Sequence, residues 1–207
     1  MGIGSYDGRF DSGRVCLDLV AAGPMGPDAL GRWLMAAGLL PPGTPLGAVT
    51  VHWVRPFGEL RACVQGLVDA RIDHRPAAPA SAPAPAPVPV PGRHDGPDSA
   101  LARLNAFASA SAPPAVTAVR DDEGELVRAP LAHPECAALL AAVARDAVDL
   151  LTDPVARARL RRCEGDNCRR VYLDTSRGRR RRWCSSEVCG NRERVARHRR
   201  RTALSRA

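Results

Sequence analysis

Lysine is absent from the 207 residues, and aromatic side chains make up only 4% of them. All fixed positive charge is therefore guanidinium, with 30 arginines against 22 acidic residues for a net +8. An arginine-biased composition explains the choice of Arg over Lys, so the information lies in where the charge falls. Scarce aromatics exclude a core built on rings; at 45% hydrophobic content, one core of Leu, Val and Ala is expected, in helices packed through small residues. No apolar run approaches the roughly 18 residues of a membrane span. The first residues lack a basic segment followed by an apolar one, so no signal peptide is expected. These absences together point to a soluble, cytoplasmic protein with no membrane partner.

What the chain does have is a patterned set of cysteines. Four of the seven fall as C-x4-C, fifteen residues, then C-x4-C: Cys163, Cys168, Cys184 and Cys189. Two close pairs joined by a short insert suit a tetrahedral metal, each pair closing a small chelate loop, and Zn2+ is the expected ion. Two disulfides or simple burial are the competing readings; disulfide frameworks belong mainly to small secreted chains. Gly165, Asp166 and Asn167 are turn formers that fold the first pair into a knuckle. Val171 to Ser176 reads as a short strand, followed by a polar turn at Thr175 to Gly178 and a return through Arg179 to Trp183, which predicts a hairpin. Ser185 or Ser186 is placed to cap a helix that carries Cys189 on its opening turns. Knuckle, hairpin and helix-borne second pair describe a treble-clef-like zinc finger. Cys16, Cys63 and Cys136 stand alone in apolar settings and read as small core residues.

From Arg161 onward the chain resembles the CGNR zinc finger, with the signature at Cys189, Gly190, Asn191 and Arg192. The supporting pattern matches at Tyr172, Asp174, Ser176, Arg177 and Trp183. The resemblance extends to bacterial transcription regulators in which this finger follows an N-terminal ABATE domain, and it implies that the finger binds DNA. Where that domain's leucine, aspartate and aromatic run is followed by Asn-Thr, this chain has Ala21 and Ala22. Within the signature, Arg192 is expected either to contact phosphate or to hold knuckle carbonyls, with Asn191 supporting the loop around the metal; the structural role is preferred. Trp183 is expected to pack into the finger's small core.

Charge is unevenly spread. Residues 157–207 hold 18 arginines and 5 acidic residues, a net +13, so the first 156 residues carry −5. A local excess of this size attracts a polyanion through counterion release. The C-terminal helix, about Glu187 to Thr202, has a thin apolar line of Val188, Val195 and Ala196 and is otherwise cationic. Arg194, Arg197 and Arg201 recur at helical spacing, and Arg192 and Arg199 lie a heptad apart on another side. Guanidinium donates two parallel hydrogen bonds to a phosphate and can address guanine in the major groove. Arg179, Arg180, Arg181 and Arg182 form a second candidate contact area. A solvated basic helix with no specific partner is the plainer alternative.

The expected fold is mainly α with a small β-hairpin, an α+β chain in two parts: a helical domain over 1–152, and the finger with its basic helix over 153–207. In chain order, a glycine-rich lead-in runs to Ser12, and Arg14 to Val20 is a strand or a helix start whose one polar member is Asp18. Asp28 to Leu40 is a helix capped by Asp28 and ended by Gly38, Pro41 and Pro42. Val49 to Val54 is ambiguous between strand and helix, Arg55-Pro56 marks a break or kink, and Phe57 to Ile72 is a long helix. An Ala/Pro-rich stretch at 76–98 is a linker interrupting the domain. Ser99 to Ala108 is a helix, and Ala115 to Val119 with Glu125 to Ala129 is a hairpin around Asp121 to Gly124. Pro134 to Leu151 is a helix begun by its proline, and Asp153-Pro154 caps a short one.

The functional expectation is a zinc-dependent DNA-binding transcription regulator whose N-terminal domain senses a signal or forms a homodimer, the effector being undetermined. RNA or ribosome binding shares the electrostatics, but the finger has only Tyr172 and Trp183 for stacking. A zinc nuclease is disfavoured, because four thiolates fill the coordination sphere and His198, among arginines, is the only nearby histidine. No enzyme is expected.

Overall fold

The computed structural model describes residues 12–41, 44–73, 97–120, 122–130 and 134–204. The glycine-rich lead-in before Ser12, Pro42, Asp121 and the Ala/Pro-rich stretch up to 96 lie outside those residues. The fold is mainly α with two small antiparallel strand pairs. Helices α1 (Val15–Ala22), α2 (Pro27–Ala36), α3 (Val51–Asp73), α4 (Pro97–Ser109) and α5 (Cys136–Thr152) build the N-terminal region, with a 3-10 turn at Leu46–Ala48. A hairpin of β1 (Val116–Arg120) and β2 (Leu126–Pro130) lies between α4 and α5. Beyond them come α6 (Pro154–Arg159), β3 (Leu160–Arg162), β4 (Val171–Leu173) and α7 (Cys189–Leu204).

The core follows the apolar periodicity. Leu17 and Leu19 of α1, Leu30, Trp33 and Leu34 of α2, and Phe57, Leu60, Val64 and Val68 of α3 are all buried. They meet Leu139, Leu140, Val143, Ala147 and Leu150 of α5 in one cluster. Trp33 and Phe57 meet edge to face at 6.3 Å between centroids. Alanines at 141, 144 and 147 are fully buried, letting α5 sit closely among its neighbours.

Several local expectations need correction. Of the two readings of Arg14 to Val20 the helix start holds: Val15 opens α1, and Arg14 is its extended N-cap. Asp28 does not cap α2; Gly26 holds that position, Pro27 opens the helix, and Asp28 sits in its first turn. Arg55-Pro56 is no break, since α3 runs unbroken through Pro56. A proline six residues into the helix removes only the bond to the His52 carbonyl, and the burial of Phe57, Leu60, Val64 and Val68 outweighs an interior-proline penalty of about 3 kcal/mol. Pro97 and Asp98, expected in the linker, open α4. Pro134 precedes α5, whose N-cap is Glu135. Asp153 does cap α6, accepting from the Val155 amide at 2.8 Å.

The expected finger hairpin pairs differently. Strand β4 pairs antiparallel with β3, before the first cysteine, with Arg161 opposite Tyr172. The Arg179 to Arg182 return cannot extend as a strand, because Arg179 has φ of +50° and the following backbone is committed elsewhere. The Arg181 amide donates to Asp174 Oδ2 at 3.3 Å, and the Arg182 carbonyl accepts from Glu164 at 2.9 Å.

Strand β4 has no solvent-facing side. Val171 and Leu173 join the helical core, whereas Tyr172 points the other way into the cysteine cluster. The Leu173 amide donates to the Ser12 carbonyl at 2.8 Å. Beside it Gly13 adopts φ of +86°, and a Cβ there would lie 3.2 Å from that of Leu173, so only glycine suits the position. Ser12 is tied down in turn, its Oγ donating to Asp18 Oδ1 at 2.6 Å, which gives Asp18 a structural partner. Arg162 of β3 adds ion pairs to Asp69 (3.1 Å) and Asp73 (3.3 Å) at the end of α3.

Candidate metal centre and basic surface

The knuckle closes through hydrogen bonds that its sequence supplies. The Cys168 amide donates to the Gly165 carbonyl at 3.0 Å, and Asn167 takes φ of +60°, a conformation that Asn tolerates. Gly165 lies against the second cysteine pair: a Cβ there would sit 3.3 Å from that of Cys189 and 3.5 Å from Cys163 Sγ. The second pair is formed by a turn leading into α7. Ser185 Oγ accepts from the Val188 amide at 3.1 Å, its carbonyl accepts from Gly190 at 2.9 Å, and Cys189 is the first helical residue.

All four Sγ atoms lie within 4.8 Å of one another. Cys168 to Cys184 is 3.7 Å and Cys184 to Cys189 is 3.6 Å. Tetrahedral coordination with 2.3 Å bonds puts sulfurs about 3.8 Å apart, so the spacing fits a single ion. Cys163 Sγ accepts amides from Cys184 (3.3 Å) and Gly165 (3.5 Å). Burial would raise its thiol pKa, but these donors bring it below the ordinary value. Burial and the neighbouring thiols push Cys184 up, and burial chiefly raises Cys189 to about 11. A dication favours four thiolates at once and offsets that repulsion.

Around the sulfurs, one arginine does what its neighbours do not. Arg181 donates through Nε to the Trp183 carbonyl at 2.9 Å and through its Nη2 to the Cys184 carbonyl, with its guanidinium 4.7 Å from the Tyr172 ring centre. Tyr172 returns a hydrogen bond to the Arg181 carbonyl at 2.5 Å. Asp174 is buried and completes the network, accepting from Ser176 Oγ (2.6 Å) and N (3.0 Å). Burial alone would raise its pKa; the Ser176 and Arg181 donors, with Arg161 nearby, hold it below the usual carboxylate range. Holding carbonyls was the role expected of Arg192, which is instead exposed on α7. Nothing local distinguishes Arg181 among four consecutive arginines, so its role could not be read from sequence.

Trp183 is half-buried against the cysteine cluster and beside Gly190, with the Arg182 guanidinium 5.4 Å from its ring centre. Arg182 also pairs with Glu164 at 2.6 Å. Asn191 is exposed on the first turn of α7. Arg179, Arg180, Arg192, Arg194, Arg197 and Arg199 are exposed, Arg194 reaching the Ser186 carbonyl at 3.4 Å. Arg201 lies on the same helix, its side chain outside what is described.

A helical region stitched to a four-thiol finger with a basic helix defines the class. The family described as "Putative stress-induced transcription regulator" (ABATE) matches residues 13–154, and the family described as CGNR zinc finger matches residues 159–202. The chain belongs to the ABATE family and carries a CGNR zinc finger at its C-terminal end. No curated protein matches it. Among the described residues, no helix is long and apolar enough to cross a membrane.

Proposed function

We propose that the protein is a DNA-binding transcription regulator in which Zn2+, held by Cys163, Cys168, Cys184 and Cys189 in a treble-clef-like frame, fixes the start of α7 so that its arginines meet duplex DNA. The observation that carries this reading is the exposure of Arg192, Arg194, Arg197 and Arg199 on a helix whose first residue is itself one of the four cysteines. At 16 residues α7 is about 24 Å long, and a major groove admits such a helix. Arg179 and Arg180, also exposed, extend the surface toward phosphates; Arg181 is spent on carbonyls and Arg182 on Glu164, so neither is assigned a DNA contact ahead of them. Arg201 is assigned with its helix neighbours.

Tyr172, fully buried, offers no face for a stacked base, which favours duplex DNA over single-stranded RNA. Four thiolates leave the ion no open position for a reacting water, so the reading is non-enzymatic. The N-terminal region is assigned sensing or dimerisation, residues 1–152 forming that domain and 153–207 the finger, in a cytoplasmic protein. Titrating the metal-loaded full chain with duplex DNA at several salt concentrations tests the reading. About six phosphate contacts give a slope of log affinity against log salt near −5, whereas a slope near zero defeats it.

A further inference from the structure

Between α1, α3, α4 and the first knuckle lies an open cleft of about 1180 Å³, and beside it a smaller pocket of about 100 Å³ under the α1–α2 connection. The small pocket is apolar, walled by Leu19, Met25, Leu30, Val54 and Phe57. Gly58 and Arg61 line both spaces, which places the Arg61 side chain where the apolar pocket meets the cleft. Arg61 Nε is buried and has no hydrogen-bond partner among the described residues. A buried guanidinium donor left without an acceptor is unfavourable, and a carboxylate is its natural complement.

The cleft is cationic around that point. Arg55, Arg61, Arg103, Arg162, Arg169 and Arg170 line it against only Glu59 and Asp69. Both acids are engaged: Glu59 pairs with Arg55 (3.2 Å) and Arg103 (3.6 Å), and Asp69 pairs with Arg162 (3.1 Å). Neither pairs with Arg61. On the same face of α3, Gly58 and Gly66 leave open space, since a Cβ built on either meets nothing within 4 Å. An arriving molecule would find a smooth helical floor, an apolar recess and an anion-seeking group at its mouth.

We propose that this site binds a small organic acid, with its apolar tail in the recess and its carboxylate on Arg61. A 100 Å³ recess is somewhat smaller than the roughly 150 Å³ cavity that accepts benzene, so it takes a tail of about four to six carbons. A bulky tail does not fit the recess, and a neutral or cationic head leaves Arg61 unanswered. The cleft beyond Arg61 has room for polar substituents on the carboxylate side.

The test uses the full-length, metal-loaded chain without DNA, so its failure is separate from any failure of the DNA-binding reading. Hexanoate and benzoate are titrated by calorimetry, with 1-hexanol and hexylamine as the neutral and cationic counterparts; fluorescence of a Trp53→Phe, Trp183→Phe chain, which keeps Trp33 alone, gives a second readout because Phe57, the ring partner of Trp33, walls the recess. Saturable binding of an acid, weakened roughly tenfold or more by Arg61→Gln and for the neutral counterpart, is expected. Gly58→Leu, whose side chain enters open space and so need not disturb the fold, is expected to abolish binding while the melting temperature stays near wild type. No binding by either acid, equal binding of hexanoate and 1-hexanol, or full affinity in both variants overturns the proposal.

Discussion

The helical region and the finger solve the same problem with opposite means. The first buries Trp33, Phe57 and the aliphatic side chains of its helices in one cluster; the second gathers four cysteines around Tyr172, with Trp183 at the edge. One is held by apolar area, the other by donors converging on a point. Such a small second core offsets little of the chain entropy of ordering its loops, and the metal proposed for the four cysteines would supply the missing stability. The difference explains the distribution of arginine. In the helical region several arginines are met by acids, as in Arg14 with Asp146 at 2.8 Å and Arg55 with Glu59 at 3.2 Å. Along α7 several project outward, because no apolar face needs to be kept free there.

The largest test of this contrast is Cys168→Ser. Structural zinc sites contribute about 10–16 kcal/mol of apparent binding energy, so the variant should lose its metal and the finger's ordered amide signals while the helical region keeps its own. A variant retaining one ion per chain and an unchanged melting temperature would contradict the assignment. Phe57→Ala reverses the experiment. It should lower the stability of the helical region by about 3–5 kcal/mol, seen in denaturant melts, with metal content unchanged.

Asp174→Asn probes the finger's polar frame and should have the smallest effect. The folded pKa of Asp174 lies below its unfolded value, so the carboxylate contributes stability above about pH 4, lost as pH falls through the folded pKa. Wild type should therefore melt higher than the variant at neutral pH, the gap closing in acid. Metal content is followed in parallel, and the two proteins are compared only over the pH range in which both keep their metal. A gap that widens on acidification would reverse the assigned sign.

How much of this was legible depended on range. The C-x4-C pairs, the Asp153 cap and the Leu139, Leu140, Val143, Ala147 and Leu150 stripe are local patterns, and the folded chain uses each as its spacing implies. Strand partnership is not local. The segment Val171–Leu173 looked able to pair forward into the arginine run, but pairs backward with Leu160–Arg162 because that register places Leu160, Val171 and Leu173 on the helical core. Pro56 read as a break or kink because proline disfavours helical geometry in the residue before it, a local rule that the burial of Phe57 and Leu60 overrides. Arg181 took the carbonyl-holding role expected of Arg192 for a related reason. Four adjacent arginines are chemically identical until the fold turns one of them toward the Trp183 and Cys184 carbonyls.

Strand β4 gives the molecule a shared clock. The Leu173 amide reaches the Ser12 carbonyl from a residue whose neighbours, Tyr172 and Asp174, are fully enclosed, so its proton can trade with solvent only when the seam opens. Chelating the ion or loosening the helices would speed that one proton's exchange alike. A cut between the two parts would strip the cover from Leu160, Val171 and Leu173, leaving the severed finger greasy on the side where its parent chain is sealed.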